Sequence, residues 1–166
     1  MGLCITDDDV CCQASKDEII RRYYDATNKL ADGACNESEV SKIQMLFNQA
    51  KITTGDRRVT VAANERKNQT GVHCAAMEME DGTIITSKTG DLLGCCAALL
   101  LNVMKHLAGI GHDVKLIPQS MIEPIQKTKI EYLLGNNPRL HTDEVLVAIS
   151  VLSQRDENCR KALEQL

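Results

Sequence analysis

Aromatic side chains are scarce in this chain of 166 residues. They make up 2% of the sequence, and Trp is absent. The core must therefore be built from Leu, Ile, Val, Met, Ala and Cys. The same scarcity removes the stacking platforms that hold single-stranded nucleic acid, and the net charge of −4 provides no basic surplus for phosphate contacts. Composition thus argues against a nucleic-acid partner.

A membrane-spanning run and a leader-like start are also missing. The longest apolar run, Leu92–Met104, is interrupted by Asn102 and is too short to span a bilayer. The first residues, Met1–Asp9, have neither the basic start nor the apolar core of a secretion signal, and Met1-Gly2 lacks a second lipidation signal. We therefore expect a cytoplasmic protein with no membrane partner.

The chain has eight cysteines but no C-x-x-C motif. In a cytoplasmic protein this pattern favours reduced, buried, structural thiols over disulfides. His73-Cys74 and Cys95-Cys96 can approach each other in space and hold a soft metal, although buried core thiols explain them more simply. We predict no metal site, and the sequence leaves open whether Cys74, Cys95 and Cys96 have a function.

The clearest structural signals lie between residues 72 and 117. Two short apolar runs, 72–79 and 83–86, flank Asp81-Gly82, a dipeptide typical of a type I′ hairpin turn. A wide apolar face at helical spacing then runs from Leu92 to Leu107, and Gly109 closes it. Residues 114–117 are predicted to form a third strand.

The first 70 residues are predicted to form a helical subdomain. Thr6 and the three Asp that follow it indicate a helix start with a hydroxyl cap, and Gly33 indicates its end. The segment 36–39 resembles a capping box before a second amphipathic helix. Residues 56–67 fit a helix or a strand, and we favour the helix.

Further helices are predicted after Pro118. One begins at Ser120 or its neighbour and tolerates Pro124 only in its first turn before continuing to Gly135. The segment 135–141 is rich in Gly, Asn and Pro and is predicted to be an irregular loop. Thr142 is expected to cap the next helix, and a last helix runs from Asp156.

The order hairpin, helix, strand, helix resembles the cytidine-deaminase-like fold. That resemblance implies a mixed α/β class, with a three-layer subdomain over residues 71–166. Zinc deaminases carry His/Cys-Ala-Glu at the start of the core helix and Pro-Cys-x-x-Cys after the next strand. Here the segments read Cys96-Ala97-Ala98 and Pro118-Gln119-Ser120-Met121-Ile122. The acid and both later ligands are replaced, so we expect neither bound zinc nor deaminase activity.

Three longer runs, residues 19–26, 122–126 and 135–146, resemble the C-terminal part of an uncharacterised family known as domain of unknown function 1846. Its members are longer and carry a phosphate-loop-like segment in an N-terminal region; some are labelled ATP-dependent carboxylate–amine ligases. This chain has no phosphate-loop motif. The resemblance implies a fragment truncated at its C-terminus, with no cofactor and no ATP hydrolysis of its own, whose partner is the missing N-terminal region.

The loop before the penultimate helix is the best candidate site. Within a few residues it combines a cation, an imidazole and a helix start whose free N–H groups favour an anion. The candidate anion-binding residues are Asn137, Arg139, His141, Thr142 and Asp143. The simpler interpretation is structural: Thr142 caps the helix, the acidic residues favour its positive end, and Arg139 pairs with Asp143 or Glu144.

Two functions follow from these observations. In the first, the segment belongs to a larger enzyme and binds an anionic substrate or a nucleotide at residues 136–144. In the second, it is a non-catalytic assembly or regulatory domain on a deaminase-like scaffold that has lost its metal. Truncation would leave the sheet or its covering layer exposed, so we also expect a homo-oligomer.

Overall fold

A computed structural model describes residues 7–166. The chain divides into two compact units, Met1–Val61 and Ala62–Leu166. Helices dominate both units, and the second also contains a small antiparallel sheet, so the fold is mixed. Within the described range, no helix is both long enough and apolar enough to cross a membrane.

Seven α-helices, two strands and two short helical turns make up the described chain. The helices are α1 Asp8–Ala31, α2 Glu37–Ala50, α3 Arg58–Thr70, α4 Cys95–Leu107, α5 Gln119–Lys127, α6 Thr142–Leu152 and α7 Glu157–Leu163. The strands are β1 Cys74–Glu78 and β2 Ile84–Lys88. The turns are a 3₁₀ turn at Thr54–Asp56 and a π-helical turn at Thr128–Tyr132.

Side-chain caps set the helix starts in the first unit. The Asp7 carboxylate accepts the N–H of Val10 at 3.1 Å and caps α1; the predicted cap, Thr6, lies outside the described residues. Asn36 caps α2 as its sequence context indicates. The predicted helix end at Gly33 is confirmed, since this residue has φ of +71°, which glycine adopts without strain.

The third element of the first 70 residues is a helix rather than a strand, which confirms the favoured interpretation. It is α3, and the boundary between the two units falls within it. Before it, α1 and α2 pack through the rings of Tyr23 and Phe47, whose centroids are 5.1 Å apart. Ile20 of α1 is fully buried.

The predicted hairpin is confirmed, but its turn type is wrong. β1 and β2 pair in an antiparallel register with Ala76 opposite Thr86. Gly82 has φ of +82°, whereas Asp81 does not have positive φ, as a type I′ turn would require. The Asp81 carboxylate instead accepts the N–H of Thr83 at 2.8 Å, which fixes an Asx-type turn.

The apolar face of α4 lies at the centre of the second unit. Gly109 follows the helix with φ of +66°, and the N–H of Ile110 bonds the Lys105 carbonyl at 2.9 Å, so the predicted helix end is confirmed. The core packed against α4 is aliphatic, as the composition requires. Its buried members are Ala97, Leu101, Met104, Leu116, Ile117, Ile122, Leu140, Val145, Ala148, Ile149, Cys159 and Ala162.

The predicted third strand at residues 114–117 is wrong. This segment is irregular, and the sheet of the described chain has two strands. Side chains take the hydrogen bonds that a neighbouring strand would supply: Lys105 donates to the Val114 carbonyl, and the Cys159 thiol donates to the Leu116 carbonyl. The apolar residues of this segment are explained by the burial of Leu116 and Ile117 in the core and not by strand pairing.

The position predicted for Pro124 is also wrong. It lies beyond the first turn of α5, which begins at Gln119. Proline has no N–H to donate to the carbonyl four residues earlier, so it weakens a helix interior. α5 ends three residues later and gives way to the π-helical turn. That turn closes where the N–H of Gly135 bonds the Lys129 carbonyl, just after Leu134 at φ of +54°.

The start of α6 differs by one residue from its prediction. His141, not Thr142, occupies the cap position, because its backbone is extended and its N–H bonds the carboxylate of Glu144. The preceding loop is irregular as predicted, apart from Leu140, which forms an isolated parallel bridge with Leu93. The last helix starts as expected at its cap, Asp156.

The expectation of buried cysteines is wrong for most of them. All of the cysteines among residues 7–166 are free thiols, but only Cys159 is buried. Cys11, Cys12 and Cys96 are exposed, because they lie on outward-facing positions of their helices. Cys4 lies outside the described residues. A small, weakly polar side chain is tolerated on either side of a helix, so composition alone did not indicate burial.

Candidate functional site

A cleft of about 490 Å³ opens at the N-terminal ends of α4 and α6. Its walls come from four separate stretches of the second unit: the residue before β1, the residue after β2, the first turn of α4 and the loop before α6. The lining residues are His73, Thr89, Gly94, Cys95, Cys96, Ala97, Asn137, Arg139, His141 and Thr142. The cleft contains four of the five residues predicted to bind an anion; Asp143 does not line it.

The backbone bridge at Leu140 holds the two helix ends together. The Leu140 N–H bonds the Leu92 carbonyl at 2.9 Å, and the Gly94 N–H bonds the Leu140 carbonyl at 3.1 Å. Gly94 is the residue that caps α4, and Leu140 directly precedes the cap of α6. Leu140 is itself fully buried in the core. Two positive helix-dipole ends therefore border one cleft.

Arg139 is held by a backbone carbonyl of the segment after β2 and not by an acidic residue. Its Nε donates to the Gly90 carbonyl at 2.6 Å, and its backbone N–H donates to the Asn137 side-chain oxygen at 3.2 Å. Its terminal NH groups have no hydrogen-bond partner among residues 7–166. The interpretation in which Arg139 pairs with Asp143 or Glu144 is therefore wrong, and part of the guanidinium remains available to a ligand.

The true partner of Glu144 is Lys129, on the π-helical turn. The Lys129 ammonium donates at 2.7 Å both to the Glu144 carboxylate and to the Arg139 carbonyl. The same carboxylate oxygen accepts the His141 N–H at 2.8 Å. Partial burial opposes ionisation of Glu144, but these donors outweigh it and keep its pKa below the ordinary value. We refer to Lys129, Glu144 and the His141 N–H as the loop brace.

Three of the four residues considered as a soft-metal set border the cleft, and the fourth, Cys74, does not. His73, Cys95 and Cys96 all border the cleft, whereas the Cys74 thiol contacts Thr70 and the Val72 carbonyl. Cys96 is exposed overall, but the atoms packed around its thiol partly shield it from water and raise its pKa, and the adjacent Cys95 raises it further. A raised pKa favours the neutral thiol, which is the weaker ligand and the weaker nucleophile.

Within residues 7–166, the one group of three potential metal-ligating side chains is His141, Asp143 and Glu144. Their ligand atoms lie within 4.8 Å of one another. Two of the three side chains are exposed, and Glu144 already bonds an ammonium in the loop brace. A cation bound here would lie beside the Lys129 ammonium, whose charge repels it, so this group fits a divalent ion poorly.

The positions that correspond to the deaminase motifs do not converge on one site. Cys96 borders the cleft at the helix ends, whereas Ala98, Gln119 and Ile122 border a different cleft. Ile122 is also 2% exposed, as a core residue is. The anion-site candidates and the deaminase-motif positions are thus separate features of this fold.

The sequence gives no signal that Lys129, Thr89 and Gly90 belong to this site, and it suggested His73 only as a soft-metal ligand. Lys129 is 10 residues from Arg139, whose carbonyl it binds, and Gly90 is 49 residues from Arg139. No local pattern connects positions so far apart. The one usable signal was indirect, since an acidic residue three positions into a helix often bonds the N–H of its cap.

Comparison with protein families now identifies the chain. The profile described as domain of unknown function DUF1846, C-terminal, matches residues 55–166, and the N-terminal profile of the same family matches residues 1–51. The chain belongs to the DUF1846 family. Its resemblance is not to the C-terminal part alone, as the sequence runs suggested, because residues of both family regions are present. The whole cleft lies within the C-terminal match.

Relatives of this DUF1846 chain include several UPF0371 proteins. One from Corynebacterium urealyticum is 48% identical over 166 residues, covering 100% of the chain and 33% of the relative. One from Corynebacterium diphtheriae is 44% identical over 165 residues, covering 99% and 33%. One from Streptococcus thermophilus is 41% identical, covering 100% and 34%. The chain therefore spans about a third of the length of these curated relatives.

Proposed function

We propose that this DUF1846 segment is the anion-binding part of a larger enzyme. The ligand group is a phosphate or carboxylate of a substrate or nucleotide, held in the cleft at the N-terminal ends of α4 and α6. The remaining catalytic groups would come from the rest of the family's longer chain. The segment contributes recognition of charge and no cofactor of its own.

One observation carries this proposal: two helix N-termini and a guanidinium with terminal NH groups unengaged in the described chain border the same cleft. The first turns of α4 and α6 supply backbone N–H groups and the positive ends of two dipoles. Arg139 adds terminal NH groups in the planar arrangement that suits phosphate or carboxylate. His73 and His141 can add positive charge when protonated.

The acidic residues near the cleft do not cancel this charge. Glu144 is neutralised by Lys129 at 2.7 Å within the loop brace. Asp143 is exposed and does not line the cleft. An anion entering the cleft would thus meet mainly donors and positive partial charges, the environment that stabilises an oxyanion.

The test is a thermal melt with inorganic phosphate, compared with sodium chloride at equal ionic strength. We expect phosphate to raise the Tm and Arg139→Ala to remove this increase, while ligand-free stability changes by no more than about 1 kcal/mol. Arg155→Ala is the matched control, because Arg155 is an exposed arginine of the same unit outside the cleft. Strong destabilisation by Arg139→Ala with no phosphate effect would make Arg139 a structural brace.

A pH series separates the imidazoles from the arginine. Sulfate is the better probe here, because it keeps its double charge between pH 6 and pH 8 whereas phosphate does not. Imidazoles gain charge as the pH falls, so the sulfate-induced Tm increase should be larger at pH 6 than at pH 8. His141→Gln should reduce this difference. An increase that does not depend on pH would assign recognition to Arg139 and the helix ends alone.

A second candidate is an assembly or regulatory role on a metal-free, deaminase-like scaffold, and an exposed apolar segment favours it. Tyr132, Leu133 and Leu134 are consecutive and 73%, 72% and 82% exposed. Consecutive exposed apolar side chains are typical of contact surfaces. Light scattering tests this role: an oligomer dispersed by Leu133→Ser, together with melts indifferent to phosphate, would support assembly over anion binding.

A further inference from the structure

A second cleft, of about 450 Å³, has a buried lysine in its wall. It is bordered by Leu92 and Leu93, by one face of α4 from Ala98 to Lys105, by the irregular segment 112–117 and by the start of α5. Its side chains are largely aliphatic, with Leu93, Leu101 and Ile122 among them. The volume and apolar lining are those of a small-molecule site. Lys105 also borders this cleft and is only 9% exposed.

Lys105 forms no ion pair within the described chain, although the exposed Asp113 borders the same cleft and acts on its charge at longer range. Its ammonium donates to the carbonyls of His112 at 2.9 Å and Val114 at 3.3 Å. No carboxylate among residues 7–166 lies within ion-pair distance of it. Burial lowers the pKa of Lys105, although the nearby Asp113 opposes this effect. An ammonium has three N–H donors, and two are used here.

Buried charges in proteins are normally paired, because removing a lone ion from water is costly. Two carbonyls satisfy hydrogen bonds of Lys105 but do not neutralise it. The cleft beside it offers apolar walls to a hydrocarbon and a cation to a carboxylate. We infer that this cleft binds an apolar carboxylic acid, whose carboxylate pairs with Lys105 and whose hydrocarbon chain lies against Leu93, Leu101 and Ile122.

Two neighbouring features are weaker alternatives. Lys115 also borders the cleft, but it is exposed, so water solvates its charge and it needs no counter-ion. A smaller cleft of about 300 Å³ also touches Lys105, but polar side chains such as Thr86, Asn102 and His106 take a larger share of its lining. The larger cleft combines the buried cation with a hydrocarbon-compatible surface, so it is the site of this proposal.

The first measurement uses the unaltered protein and octanoate as the probe. Octanol has the same chain without the charge, and acetate has the charge without the chain. We expect octanoate to bind about tenfold more tightly than octanol, as a charged hydrogen bond does, and acetate not to bind measurably. NMR contacts from octanoate methylenes to the methyl groups of Leu93, Leu101 and Ile122 should locate it. Equal binding of octanol, or contacts elsewhere, would overturn the proposal.

The second measurement assigns the cation. Lys105→Met should remove the preference for octanoate over octanol, while Lys115→Met, the matched control in the same cleft, should keep it. A preference lost with Lys115 instead would disprove the assignment to Lys105. If Lys105→Met does not fold, protection of Lys105 from amine acylation by octanoate in the unaltered protein decides; no protection would count against the pairing. The site is independent of the anion cleft, so phosphate should not compete with octanoate.

Discussion

Exposed ion pairs one turn apart occur on helices of both compact units, but the contacts that pack each unit differ. In the first unit, exposed ion pairs one turn apart line α1, such as Glu18 with Arg21 and Asp25 with Lys29, and the ring contacts join α1 to α2. In the second unit, an aliphatic core joins residues far apart in sequence, and Cys159 bonds a carbonyl 43 residues away.

This difference explains why sequence reasoning succeeded in one unit and partly failed in the other. Caps, helical periodicity and helix-ending glycines act within a few residues, and they predicted α1 and α2 well. In the second unit, burial and side-chain bonds from distant segments decide the backbone of residues 112–117 and the contacts of Arg139. If this contrast holds, removing a long-range contact of the second unit should cost more stability than removing a local surface pair of the first.

The largest expected effect is in the core of the second unit. Ile149→Ala should lower the free energy of unfolding by about 2–5 kcal/mol, because Ile149 is fully buried and its truncation leaves a cavity. Val147→Ala on the same helix is the control: this side chain is 67% exposed, so the change should stay within about 0.5 kcal/mol. Urea titration measures both. Equal losses would mean that the outer face of α6 is covered.

Cys159→Ala should have an intermediate effect of about 1–2 kcal/mol, because it removes a buried thiol and its hydrogen bond. Burial raises the pKa of this thiol from 9.0 to about 11, with the adjacent Asp156 adding to the effect. The thiol's contribution is therefore complete below pH 9 and is lost as the pH rises towards 11. Urea titrations across this range should show the variant losing less stability than the unaltered protein.

Loss of the loop brace should have an effect of similar size. Glu144→Gln should cost about 1–2 kcal/mol, because it leaves the partly buried Lys129 without its charged partner. The pKa of Glu144 is lowered in the folded protein, so the brace stabilises fully above pH 4.5 and fades as the pH falls further. Urea titration at neutral and acidic pH should show the cost of Glu144→Gln shrinking in acid.

Glu18→Gln in the first unit is the counterpart of that change and should have the smallest effect. Its partners Arg21 and Arg22 are exposed, and exposed pairs contribute little. We expect no measurable change in the urea midpoint. A loss as large as that of Glu144→Gln would break the distinction between local surface pairs and long-range partly buried ones.

Much of the fold was predictable where one local signal acts alone. Gly33 and Gly109 follow the ends of α1 and α4 as expected, and Asn36 and Asp156 cap the starts of α2 and α7. Prediction failed where two signals compete. The apolar segment 114–117 satisfies strand and buried-coil interpretations equally, and only the side chains of Lys105 and Cys159 decide between them.

The loop that holds the candidate site was recognisable from the sequence, but the hydrogen-bond and ion-pair partners of its residues were not. The 136–144 loop stood out because Arg, His and a helix start are close in sequence. Its partners, Gly90 and Lys129, carry no such signal, and charge alone suggested pairing Arg139 with Asp143 or Glu144. Lys129 takes that position because the π-helical turn brings its ammonium between Arg139 and Glu144.

The bridge at Leu140 also gives the site a built-in reporter. Two amides, those of Leu140 and Gly94, are engaged only while the ends of α4 and α6 remain side by side. Amide hydrogens exchange with solvent when their bonds open, so these two protons should show the same opening free energy, set by separation of the helix ends. A ligand that spans both helix ends would slow the pair together, and a ligand seated elsewhere would leave their exchange unchanged.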